Sequence, residues 1–201
     1  LAEELMVLRD LNLLKYSNSK LHISTISTNK SVKHIQKAKK EKLNISTDVA
    51  AHQLILTDEL LKGFNTHLKV MPPIRDENNR KGLIDGILNG TIDAVSSDHT
   101  PIDIDNKRCE FEKAKFGMIG LETVFPIINT LLKDKLDLSK IIDLISTNPR
   151  KIIGTKIPTI QEQEEANITL FNPTEKWTYT KNEICSISKN TPFINSEFYG
   201  K

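Results

Sequence analysis

Thr91-Ile92-Asp93-Ala94-Val95-Ser96-Ser97-Asp98-His99-Thr100-Pro101 runs from an apolar, β-branched segment straight into an acid, a histidine and a turn proline. A buried parallel strand delivers a carboxylate to the rim of an α/β barrel in this way, and such barrels keep their chemistry at that rim. A carboxylate placed there can ligate a metal, take a proton from an activated water, or do both in turn. Read alone, Asp98 is equally a helix N-cap or an Asx-turn residue ahead of Pro101. The flanking sequence decides between these readings.

Upstream, Leu21-His22-Ile23-Ser24-Thr25-Ile26 alternates as a strand, and Asn29 or Ser31 caps a helix reaching Lys40 with Val32, Ile35 and Ala38 inward. Asn44 to Val49 is β-rich, Thr57-Asp58-Glu59 opens a short helix, and Leu68 to Val70 suggests a strand. Glu77 to Leu88 is helical, and Ile92 to Ser97 is then the fourth strand. Glu3 to Leu14 reads as an amphipathic helix on Leu5, Leu8, Leu11 and Leu14. Strand and helix alternate throughout, which demands a parallel sheet with helical crossovers. Four β/α units make half of an eight-stranded barrel, a fold of about 250 residues. The chain also opens directly in a helix with no strand for it to follow, so the expected fold class is α/β, the second half of a (β/α)8 TIM-type barrel over residues 1–156. Val124 to Leu132, Leu138 to Ser146 and Asn148 to Gly154 supply its last helices, with Gly154 as a stop. From Ile157 onward the pattern changes to short β-rich runs at Ile168–Phe171, Trp177–Thr180 and Phe193–Tyr199, which sets residues 157–201 apart as a small β domain. A self-contained open sheet is the alternative.

Composition narrows the class of function. The 201 residues can bury a real core, and 38% hydrophobic with 27% charged residues fits a globular protein in water. A formal charge of +2 gives no reason to expect nucleic acid, and no apolar run is long enough to span a bilayer. Cys109 and Cys185 form neither a disulfide framework nor a zinc-ligand spacing, which suits a reducing, cytoplasmic setting.

The motifs around Asp98 carry a resemblance. Lys69-Val70-Met71-Pro72-Pro73-Ile74-Arg75, Arg80 and Leu83-Ile84-Asp85-Gly86 precede it; Lys107, Phe111, Ala114 and Phe116-Gly117-Met118-Ile119-Gly120-Leu121-Glu122-Thr123 follow. In order and spacing this series resembles the dihydroorotases, cyclic amidohydrolases of pyrimidine biosynthesis, from Leu21 to Gly200. The resemblance implies one or two zinc ions at the strand ends, a cyclic amide substrate, and reversible hydrolysis of dihydroorotate to N-carbamoyl-aspartate. It further implies that residues 157–201 are the C-terminal part of a small β-sandwich domain, and it implies an N-terminal half of the same protein, a homodimer, and aspartate transcarbamoylase as a partner.

Position by position, the resemblance makes Asp98 the catalytic aspartate and a metal ligand. His52, in Asp48-Val49-Ala50-Ala51-His52-Gln53-Leu54, becomes a second metal ligand, and Phe116 with Gly117 meets the substrate through the backbone. Three positions depart. Thr25 stands where the family pattern has a metal-binding histidine, and a neutral hydroxyl substitutes poorly for imidazole on zinc. His22, three residues earlier, falls on the opposite strand face and cannot simply replace it. Met71 replaces an asparagine before Pro72-Pro73, and Ile102 a histidine after Pro101, removing two groups that hold the pyrimidine ring and its carboxylate. Lys115 replaces a proline before Phe116, while His99 is retained for the turn or for orienting neighbours. These losses raise two alternatives: a catalytically impaired paralogue with a structural or partner role, and a related cyclic amidase acting on a hydantoin or allantoin.

Overall fold

A computed structural model describes residues 1–201. The chain begins with helix α1 (Ala2–Ser17), followed by β1 (Leu21–Ile23), α2 (Asn29–Lys40) and β2 (Ile45–Ala50). Next come α3 (Glu77–Leu88) and β3 (Ala94–Ser96), then α4 (Val124–Leu132), α5 (Leu138–Ile142) and α6 (Asn148–Ile153). Strands β4 (Lys176–Thr178) and β5 (Glu197–Tyr199) close the chain.

β1, β2 and β3 form a parallel sheet in sequence order, with Leu21 opposite Ile45 and Asp48 opposite Ala94. Parallel neighbours require crossovers, and α2 and α3 supply them. Both helices are written locally. The Thr28 side chain accepts from Ser31 N to cap α2, and that of Asp76 accepts from Asn79 N to cap α3. Lys37, Lys39 and Lys40 sit in the last turn of α2, where cations favour the helix dipole. Val32, Ile35 and Ala38 are buried as their spacing predicts.

The strand period of two sorts β2 by face. Ile45 and Val49 join the continuous apolar core with Val32, Ile35 and Leu83. Ser46 and Asp48 point the other way and hydrogen-bond to His22 of β1. The sheet thus has one apolar face under helices and one polar face.

α1 is tied to the β1–α2 turn by Glu3, which accepts from the backbone of Ser27 and Thr28 and from the hydroxyls of Ser27, Thr28 and Ser31. Burial alone would raise the Glu3 pKa, but these hydrogen bonds together outweigh it and hold the carboxyl below its ordinary range. The buried face of α1 is Val7, Leu11 and Leu14, while Leu5 is exposed, so the expected leucine stripe is shifted.

Two expected strands do not form. Leu68 to Val70 follows a 3-10 turn (Thr66–Leu68), and the Lys69 carbonyl accepts from Gly117 N instead of a neighbouring strand. The strand before Asp98 is therefore the third of its sheet, not the fourth. Ile168 to Phe171 pairs with nothing, and residues 153–170 are exposed throughout. The segment after α5 passes through a π turn at Asp143–Thr147 into α6, which ends at Gly154 in the left-handed region (φ 74°). β4 and β5 pair antiparallel, and Tyr179, Phe193 and Phe198 join the same core as Ile127 and Ile128 of α4. No helix is long and apolar enough to cross a membrane.

Candidate active site

The chain leaving β2 turns at once into a 3-10 helix, Ala51–Leu54, that drives the His52 side chain inward. His52 is 2% exposed, and its Nε2 has no hydrogen-bond partner. Burial pushes the imidazole pKa down to about 4, so the ring is neutral near pH 7 with a lone pair available. Its neighbour Gln53 donates to the carbonyl of Pro72, fixing the Met71-Pro72-Pro73 turn beside the same strand end.

Asp98 follows β3 in the left-handed region, with φ 46°. That conformation is uncommon for residues other than glycine, though aspartate and asparagine adopt it more readily than most. It turns the half-buried carboxylate toward the end of β2, where Oδ2 lies 4.0 Å from His52 Nε2. This is too long for a hydrogen bond, and with a neutral imidazole it is not an ion pair. Burial first, then the charge on Asp48, raises the Asp98 pKa above the usual carboxylate value.

Asp48 is the carboxylate beside the site that sequence reasoning passed over. It is 6% exposed and accepts from His22 Nε2 (2.9 Å), Ser24 Oγ (2.9 Å), Thr25 N (3.1 Å) and Ser96 Oγ (3.0 Å). All three strands are thereby joined on the polar face by one carboxylate. A cavity of about 400 Å³ opens there, lined by His22, Asp48, Ser96, Ser97, Leu121 and Val124 among others. The available signal was an acid two residues after Ser46, on one face of an otherwise buried β run.

The positions that depart from the family pattern have other occupations. Thr25 has φ 56°, and its backbone N–H is committed to Asp48. Met71 is 61% exposed and presents no polar group. Ile102 is held through its backbone, donating to Asn190 Oδ1, and Asn190 Nδ2 in turn donates to the carbonyls of Thr100 and Gly117. Gly117 has φ 132°, and a Cβ there would lie 2.6 Å from Thr100 Cγ2, so only glycine fits. Phe116 beside it is half-exposed. His99 accepts at Nδ1 from Gly120 N (3.1 Å) and Leu121 N (3.3 Å), a turn-holding role that leaves its proton on Nε2.

A buried, unpartnered, neutral imidazole facing a carboxylate suits a divalent cation. Those two donors fit; Thr25 does not, and nowhere does the chain gather three or more His, Cys, Asp or Glu side chains in a metal-binding group.

No family model matches the chain. It is similar to the dihydroorotase of Caldicellulosiruptor saccharolyticus, 40% identical over 195 residues, covering 96% of this chain and 45% of that protein. The dihydroorotase of Elusimicrobium minutum is 39% identical, covering 97% of this chain and 46% of the relative. The chain thus spans slightly under half the length of the curated relatives it matches. Among solved structures, the L-hydantoinase (dihydropyrimidinase) of Arthrobacter aurescens superposes with a TM-score of 0.89 at 24% identity, over 98% of this chain and 45% of its own. That likeness establishes the shared α/β fold.

Proposed function

Because the chain belongs by sequence with the dihydroorotases, over a length slightly under half of theirs, we propose that it is the C-terminal part of a cyclic amidohydrolase. Residues 1–156 then contribute the later half of a (β/α)8 barrel and residues 157–201 part of a small β domain. The reaction is reversible hydrolysis of the dihydroorotate ring amide to N-carbamoyl-aspartate. The observation that carries this reading is the approach of His52 Nε2 and Asp98 Oδ2 to 4.0 Å at the ends of adjacent strands.

His52 and Asp98 would hold zinc from this side, with the remaining ligands coming from the rest of the barrel. When bound, zinc makes water a competent nucleophile near neutral pH. Asp98 accepts a proton as water adds to the ring carbonyl carbon. As the C–N bond breaks, it returns that proton to the departing nitrogen, so charge and atoms balance. Its raised proton affinity suits both halves of that exchange. His52, kept neutral by burial, is a ligand and not the proton carrier. The Phe116-Gly117 segment offers backbone groups to the ring, its position set by Asn190.

A second reading follows from Thr25. Its backbone is bound to Asp48 and its hydroxyl is a weak donor for zinc, which favours an impaired relative retained for its fold. Zinc content and dihydroorotate turnover, measured together on the full-length protein that carries this chain, separate the two. Turnover that rises with zinc supports the amidohydrolase; little bound zinc, and no turnover even after zinc is supplied, supports the impaired relative.

A further inference from the structure

Lys107 stands out among the buried charges. It is 3% exposed, and no acidic side chain pairs with it. Its ammonium instead donates to three backbone carbonyls: Lys115 O at 2.7 Å, Thr66 O at 2.9 Å and Lys69 O in a longer contact of 3.5 Å. The Thr66 hydroxyl returns a bond to the Lys107 carbonyl at 2.6 Å. Burying an ammonium without a counter-ion is costly unless every proton finds an acceptor, and here three are aimed at it. Burial, and then the nearby Lys69 charge, bring the Lys107 pKa down to about 8.

What these carbonyls belong to gives the clamp its meaning. Thr66 and Lys69 lead directly into Met71-Pro72, and Lys115 immediately precedes Phe116-Gly117. The Lys69 carbonyl also accepts from Gly117 N at 2.9 Å, so Lys107 and Gly117 share one acceptor. Lys69 reinforces the joint, donating to the carbonyls of Phe111 and Glu112 with its ammonium 4.8 Å from the centre of the Phe116 ring. We propose that Lys107 is a positioning residue: its ammonium fastens the 104–117 loop to the 66–71 segment and so sets where Phe116 and Gly117 meet a bound ring. The ligand part of this proposal rests on the amidohydrolase reading; the clamp itself rests on the hydrogen bonds.

The test uses the full-length protein with Lys107→Met, which keeps the stem and removes the donors, and Lys107→Arg, which restores donors. In Lys107→Met, hydrogen exchange at Lys115 and Gly117 is expected to rise at least ~10-fold, while the amides of Ile26 and Asp93, bonded to β2 carbonyls of the sheet, keep their protection. The KM for dihydroorotate is expected to rise about 10-fold with kcat changed less than ~3-fold, and arginine to recover part of both effects. Unchanged exchange at Lys115 and Gly117 overturns the proposal, and so does a uniform rise that includes the sheet. Should Lys107→Met not fold, Thr66→Val, which removes only the hydroxyl bond to Lys107, must give the same localised signature at lower amplitude; its absence also overturns the clamp. A parent protein that neither binds nor turns over dihydroorotate defeats the functional reading, and exchange alone then judges the clamp.

Discussion

Replacing Asp98 with asparagine is expected to lower dihydroorotate turnover by the full-length protein about 10³-fold while leaving its melting temperature unchanged or slightly raised. Asparagine keeps the shape of the side chain and accepts the left-handed backbone found here, so the β3 terminus has no reason to rearrange. What it loses is the ability to take and return a proton. The sign of the stability effect follows from the environment. Burial and Asp48 raise the Asp98 pKa in the folded chain, so its carboxyl stabilises fully only below the unfolded pKa, and that contribution is lost as pH rises through the folded value. At neutral pH the ionised form is therefore a burden that asparagine removes. A variant that loses activity and stability together would instead identify Asp98 as a turn or cap residue. Steady-state kinetics and thermal unfolding on the same sample distinguish these outcomes.

The second large effect is expected at Gly120. A Cβ there would lie 2.3 Å from the carbonyl oxygen of Ser97, a backbone atom that cannot rotate aside. The same turn donates Gly120 N and Leu121 N to His99 Nδ1. Gly120→Ala must therefore push the 97–99 segment away from residues 118–121 and carry Asp98 with it. A stability loss of about 1–3 kcal/mol is expected from the steric conflict, read as a lower denaturant midpoint with unchanged slope. Displacing a reacting group by about an ångström can cost ~10²-fold in rate, so activity should fall further than stability alone explains. Gly63→Ala is the matched control, since nothing lies within 4 Å of a Cβ at that position. Equal behaviour of the two alanine variants would mean that the Ser97–Gly120 contact does not hold the site.

The sheet was legible because buried parallel strands need β-branched runs and helices need caps, and both signals are present around β2, α2 and α3. Leu68 to Val70 carries the same β-forming side chains, yet its Lys69 carbonyl serves both Gly117 and Lys107, a tertiary role that no local pattern encodes. Ile168 to Phe171 failed for the opposite reason: its alternation found no partner strand. Leu5 fits a leucine repeat but lies outside the face that packs on α2, where Val7 takes its place.

The site was legible only in part. His52 and Asp98 were found through motif context, and the structure brings them to one place. Asp48 was missed because an acid in a strand reads by default as solvent-facing, whereas here five donors from β1, its following turn and β3 gather on it. Lys107 was visible as a motif position but not as a clamp, since its partners are backbone carbonyls distant in sequence.

Zinc titration of this chain and its Thr25→His variant, followed calorimetrically, tests most directly whether His52 and Asp98 face a common metal position next to the Thr25 turn. A histidine at that position adds a third strong donor. Thr25→His is expected to bind zinc at least ~10-fold more tightly than the parent, and adding His52→Ala to abolish the gain. Equal affinity in parent and variant, or a gain indifferent to His52, would contradict it.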